Sequence, residues 1–150
     1  MTAVSRTSGS EAETLALGER LGRCLRAGDA VALDGPLGAG KTVLVRGLVA
    51  GAGAVGAVRS PTFVLHAVHP GPLPVHHLDL YRLAPSLDPR TLGLDEMLET
   101  GAALVEWAER VGPDPLGWFN ARCRISIVGP TARELALTGP GRLCAAWTRG

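Results

Sequence analysis

No apolar stretch of the 150-residue chain approaches the roughly 18 residues of a membrane-spanning helix, although 46% of its residues are hydrophobic. The opening segment, MTAVSRTSGSEAET, is polar and lacks the apolar core of a secretory signal. A soluble cytoplasmic protein without a membrane partner is therefore expected. Cysteine is scarce. Cys24, Cys123 and Cys144 are odd in number, far apart and form no Cys-x-x-Cys pair. That argues against a disulfide framework or a zinc knuckle and leaves them as small core or surface residues. An excess of one charge is also missing. Fifteen basic and 14 acidic residues mix along the chain to a net charge of +1. No block of like charge suggests a nucleic-acid tail, so any link to RNA is expected to run through a partner. Lysine is nearly absent: Lys41 stands alone against fourteen arginines.

Twenty glycines and 11 prolines make the chain loop-rich without reaching a disordered composition. There is no internal repeat and no dividing linker, and a chain of this length suits one domain. Residues 1–9 read as a flexible tail and 10–150 as a single domain. Ser10 and Glu13 fit a capping box, and Leu17, Leu21 and Leu25 form a stripe ending before Gly28, which predicts a helix over about Glu11–Ala27. The run AVALD (Ala30–Asp34) suits a buried strand. It leads through GPLGAGKT into an apolar helix over about Lys41–Val49, stopped by Gly51 and Gly53. Phe63–Val68 and Val75–Leu80 read as strands of a hairpin around HPGPLP, and Asp88–Glu99 as helix in pieces around Gly93. Ala102–Glu106, Arg124–Val128 and Glu134–Leu137 read as strands, while the chain from Gly139 on is weakly patterned.

The segment Gly35, Pro36, Leu37, Gly38, Ala39, Gly40, Lys41, Thr42 matches the Walker A pattern, and it lies between a strand and a helix as a phosphate-binding loop must. Gly35, Gly38 and Gly40 let the backbone curl and turn its N–H groups toward phosphate oxygens. The following helix presents its positive end to the same anion. Lys41 supplies a mobile charge for the outer phosphates, and the Thr42 hydroxyl suits Mg²⁺. A chain that otherwise uses arginine keeps its one lysine here, where a compact ammonium fits and a planar guanidinium does not. The competing reading is a glycine-rich turn with a surface lysine. Glu106 ends the run AALVE, the way a strand delivers an acid to the sheet edge beside the phosphates. Asp79 in VHHLDLYR has weaker apolar flanks, and pattern alone leaves it equally a surface residue. Ser60–Thr62 is hydroxyl-bearing, but Ser-Pro is chiefly a turn former. His66 and His69, three apart on a strand, face opposite ways, and the adjacent His76 and His77 diverge, so no structural metal site is expected.

Together with the loop, RSPTF (Arg59–Phe63), HLDLYR (His77–Arg82), GLDEML (Gly93–Leu98) and LVEW (Leu104–Trp107) occur in the order and approximate spacing of the TsaE (YjeE) family, which the chain resembles over roughly Glu13–Leu137. The stretch with Arg133 before ELAL resembles that family's C-terminal strands. The resemblance implies a three-layer α/β P-loop NTPase fold with a mixed central sheet flanked by helices. It also implies ATP hydrolysis with Mg²⁺ in the service of tRNA threonylcarbamoyladenosine modification, together with TsaB and TsaD, with tRNA reached through that complex. By position it gives Lys41 and Thr42 the phosphate and Mg²⁺ roles. Asp79 becomes the Walker B acid, and Glu106 a second metal-site or water-positioning acid. Thr62 falls in a switch-like loop, Trp107 beside the nucleotide and Thr14 near the adenine. Pro36 departs from the Asp usual after the first loop glycine, and Ala108 from the usual Pro after EW. Pro113–Ala121, with Trp118 and Phe119, is unlike the family and reads as a packing insertion or part of a partner surface, with aromatic burial favouring packing.

Three other classes compete. A small-molecule kinase needs an acid soon after the loop helix, and none occurs between Asp34 and Asp79. A GTPase needs an Asn-Lys-x-Asp reader, which a chain with one lysine cannot supply. A non-catalytic nucleotide switch is opposed by Asp79 and Glu106. Arg82 and Arg110 lie near the two acids in sequence and are the candidates for an arginine finger.

Overall fold

The two continuous apolar runs become neighbouring parallel strands at the centre of the sheet. These are β2 (Ala30–Asp34) and β5 (Ala102–Glu106), and every residue of β5 is buried. The computed structural model describes residues 1–55, 66–80, 93–108 and 119–148. Within them the other strands are β1 (Thr2–Ser8), β3 (His66–His69), β4 (Val75–Asp79), β6 (Ala121–Ile127) and β7 (Arg133–Gly139). The helices are α1 (Glu11–Gly22), α2 (Lys41–Gly51), α3 (Leu94–Thr100) and α4 (Gly141–Thr148). The seven described strands form one mixed sheet in the order β1-β7-β6-β2-β5-β4-β3. Strands β6, β2, β5 and β4 run parallel, and antiparallel partners close both sides.

Side chains alternate across the sheet and sort the core into two clusters. Val31, Leu33, Leu104 and Ile125 pack with α1, α2 and α4 on one face. Ala30, Ala32, Val105 and Leu78 pack with Leu94 of α3 on the other. The arrangement is three-layered. No helix among the described residues is long and apolar enough to cross a membrane.

Residues 1–9 are not a loose tail. Strand β1 pairs with β7 from Thr2↔Gly139 to Ser8↔Arg133. Its residues are mostly polar because it is an edge strand, where backbone bonds supply the pairing and only Val4, Arg6 and Ser8 turn inward. Helix α1 starts as predicted, with Ser10 Oγ accepting from the Glu13 N–H at 3.1 Å. The Glu13 carboxylate reaches the N–H of Gly9, at 2.5 Å, instead of completing the box at Ser10. The helix ends at Gly22, short of Ala27. Beyond it the N–H groups of Cys24 and Leu25 bond three residues back, to Leu21 and Gly22, and the chain tightens into turns.

Four glycines set the distance between α1 and α2. A Cβ on Gly18 or Gly22 would lie 2.7 or 2.3 Å from the carbonyl oxygens of Leu44 and Leu48. A Cβ on Gly47 or Gly51 would lie 2.4 or 2.1 Å from those of Leu15 and Glu19. The two helices therefore touch backbone to backbone. The weakly patterned C-terminal stretch forms α4, whose Trp147 is fully buried and donates Nε1–H to the Leu17 carbonyl at 2.9 Å.

Candidate functional site

The glycine loop joins the end of β2 to the start of α2, so β2, buried on both faces, fixes its position. Gly38 and Gly40 have φ of +79° and +106°, left-handed values that favour glycine, and the space a Cβ would take at either is open. Gly35 answers to a different constraint: a Cβ there would approach the Ile125 carbonyl to 2.8 Å. Gly40 is the N-cap of α2 and no side chain caps it. The first N–H groups of the helix thus meet no intrahelical acceptor and no side-chain cap. Pro36 and Leu37 are exposed at the tip, where the Pro36 carbonyl accepts from the Ala39 N–H. Pro36 takes part through its backbone.

Lys41 is buried, although it is the first residue of a helix. Its ammonium donates to the Gly35 carbonyl at 2.7 Å and rests 4.2 Å from the centre of the Trp107 ring. A cation over an indole is attracted by about 0.5–2 kcal/mol, depending on solvation. Trp107 has φ of +59°, the one left-handed non-glycine residue among those described. For so bulky a side chain this is a costly conformation, of a kind that clusters at functional sites.

The two acids end adjacent parallel strands in register, Asp79 opposite Glu106. Both therefore project from the sheet face that carries α2 and the loop. Glu106 is 4% exposed, and its Oε2 lies 2.6 Å from Nε2 of the fully buried His77. The histidines sort by face. His66 and His76 stack on one side with Nε2 and Nδ1 2.9 Å apart, while His69 and His77 lie on the other. Among the described residues no group of three or more His, Cys, Asp or Glu is placed to hold a metal ion. Thr42, Asp79 and Glu106 are oxygen donors of the kind Mg²⁺ accepts, and Mg²⁺ commonly uses one or two carboxylates alongside substrate phosphates and water. The open loop and the hard-oxygen set suit a magnesium-bound nucleotide.

Arg133 was legible only as part of a family-like segment, and the structure places it behind the loop. Its guanidinium donates to the carbonyls of Ala39 (3.1 Å), Gly38 (3.4 Å), Gly129 (3.1 Å) and Ala132 (3.0 Å). By taking loop carbonyls on one side it favours presentation of amides on the other. Thr14 is buried, with Oγ1 2.7 Å from Ser8 Oγ, and it lines a cleft of about 310 Å³ with Ser10, Gly38, Gly40 and Arg133. That volume falls at the lower end of the roughly 300–1,000 Å³ of small-molecule sites. Thr62, Arg82 and Arg110 lie outside the described residues. Of Pro113–Ala121, Phe119 is described and packs against the α3-side core, while Trp118 is outside. Cys123 is buried within the sheet, and burial, with the Asp34 charge nearby, pushes its thiol up to about 12. A thiol of that kind is inert at neutral pH.

A family model described as "Threonylcarbamoyl adenosine biosynthesis protein TsaE" matches residues 8–135. A Streptomyces coelicolor protein called "tRNA threonylcarbamoyladenosine biosynthesis protein TsaE" is 48% identical over 134 residues, covering 83% of this chain and 89% of that protein. A Treponema pallidum protein of the same name is 43% identical over 138 residues, covering 91% and 99%. Among solved structures, the crystal structure of Bacillus subtilis YdiB superposes with a TM-score of 0.76 at 30% identity, over 99% of this chain and 95% of that one.

Proposed function

We propose that this chain, which belongs to the TsaE family of threonylcarbamoyl adenosine biosynthesis proteins, binds ATP with Mg²⁺ and hydrolyses it to drive tRNA threonylcarbamoyladenosine modification. The observation that carries the reading is the convergence of four groups from the start of α2 and the end of β5. An uncapped helix N-terminus, the Lys41 ammonium, the Trp107 ring and a buried Glu106 meet at one end of the sheet.

The loop amides and Lys41 hold the triphosphate. Lys41 exchanges the Gly35 carbonyl for phosphate oxygens, which cancels charge where it builds up in the transition state. Thr42, Asp79 and Glu106 hold Mg²⁺, which supplies charge neutralisation on the phosphates when bound. Glu106 also orients a water. Its oxygen bonds to the terminal phosphorus as the bond to ADP breaks, and the products are ADP, phosphate and a proton. The cleft beside Thr14 receives the base and ribose. As the family resemblance implies, TsaB and TsaD are the partners, hydrolysis resets their complex, and tRNA is met through that complex.

Phosphate release from ATP with and without TsaB and TsaD tests the reading. Turnover is expected to rise with the partners present and to depend on magnesium. A purified, folded chain that neither binds magnesium-ATP in calorimetry nor releases phosphate with its partners would end it.

A further inference from the structure

Resting on the ATPase reading above, we infer that His77 is a positioning residue that holds the Glu106 carboxylate in its working orientation. His77 lies two residues before Asp79 on β4. The period of a strand puts both on the loop face, and the parallel register sets His77 diagonally across from Glu106. Both side chains are buried, and the fold brings them into a 2.6 Å contact although they lie 29 residues apart in sequence.

An ionised carboxylate only accepts hydrogen bonds, so His77 Nε2 carries the proton in this contact. The other ring nitrogen, Nδ1, is buried and has no partner among the described residues. A ring placed there only to fill the core brings an unpaired polar atom that an apolar side chain of similar size avoids. What the imidazole adds over a leucine is the donor aimed at Glu106. Tying down Oε2 restricts a side chain with three rotatable bonds and leaves Oε1 in a defined direction for water or metal. Outer groups that orient first-contact carboxylates typically change activity by about 10–100-fold when removed.

The test compares His77→Leu, which removes the donor, with His77→Gln, which keeps one, in the chain assembled with TsaB and TsaD. Each is also combined with Glu106→Gln. His77→Leu is expected to lower kcat about 10–100-fold. Calorimetric affinity for metal-free ADP and the thermal midpoint should stay near those of the native chain. His77→Gln is expected to recover most of the lost kcat. On the Glu106→Gln background neither change should lower turnover further, because a group acting through another has nothing left to act on.

Native kcat in His77→Leu, or losses that multiply on the Glu106→Gln background, would overturn the role. So would a His77→Gln variant as impaired as His77→Leu. If His77→Leu does not fold, His77→Gln decides: near-native kcat supports the role, and a loss that multiplies with Glu106→Gln refutes it. Glu106→Gln alone separates this inference from the reading beneath it. Intact turnover there removes the acid's role and the inference together, whereas lost turnover beside an unimpaired His77→Leu removes the inference only.

Discussion

The glycine loop and the acid corner lie side by side and are built in opposite ways. The loop is a single segment, from Gly35 to Thr42, whose chemistry is mainly backbone and whose support is a guanidinium bonded to carbonyls. The acid corner is assembled from two strands whose side chains, His77 and Glu106, meet through the register of a parallel pair. A one-segment device keeps its geometry as long as its own turns and its helix persist. An assembled one depends on a register, and a slip of one residue between the two strands would put the two acids on opposite faces. On the proposed ATPase reading, binding would belong to the local device and turnover to the assembled one.

Four substitutions or conditions sharpen that division. Lys41→Ala should have the largest effect, with partner-stimulated phosphate release falling roughly 10³-fold and nucleotide affinity weakening in calorimetry. Normal values for both would break the assignment of binding to the loop. Glu106→Ala should lower turnover about 10²-fold and leave metal-free nucleotide binding intact. Equal losses in binding and turnover would erase the distinction between the two regions. Arg133→Ala should weaken nucleotide affinity by about tenfold, the equivalent of one lost charge-assisted contact, with a smaller change in kcat. A change confined to kcat would place Arg133 with the acids instead.

The smallest effect concerns the hairpin behind the acid corner. Burial holds His66, His69 and His76 below the ordinary 6.5, with His77 adding to the shift at His69 and His66 to that at His76. Since the folded values are lowered, the unfolded chain takes up protons first. The stability contribution is complete above about pH 6.5 and declines as pH falls through the lowered values. Urea midpoints should accordingly drop between about pH 7.5 and 5.5, a window above the carboxylates, and drop less in His66→Gln. A midpoint that rises on acidification would reverse the sign.

Legibility in sequence followed the same division. Strands β2 and β5 were readable to the residue because burial on both faces makes them continuous apolar runs. The loop was readable because its pattern is contiguous. Strand β1 was not, since TAVSRTS carries little apolar signal and becomes a strand only because β7 offers a partner 131 residues beyond its start at Arg133. Helix α4 escaped because eight residues after a proline show too little periodicity, and its burial is set by Trp147 finding α1. The α1–α2 glycine contact was invisible for a similar reason. Gly18 and Gly22 are ordinary glycines until Gly47 and Gly51 are laid against them. The His77–Glu106 contact needed a register that no single segment encodes.

The solitary lysine has a practical consequence. The chain carries one side-chain amine, and that amine is tucked under an indole and against a carbonyl. Among side chains, amine-directed acylating reagents therefore meet this sheltered nitrogen alone. The rate of its labelling, read by mass spectrometry, becomes a built-in gauge of how tightly the pocket is closed.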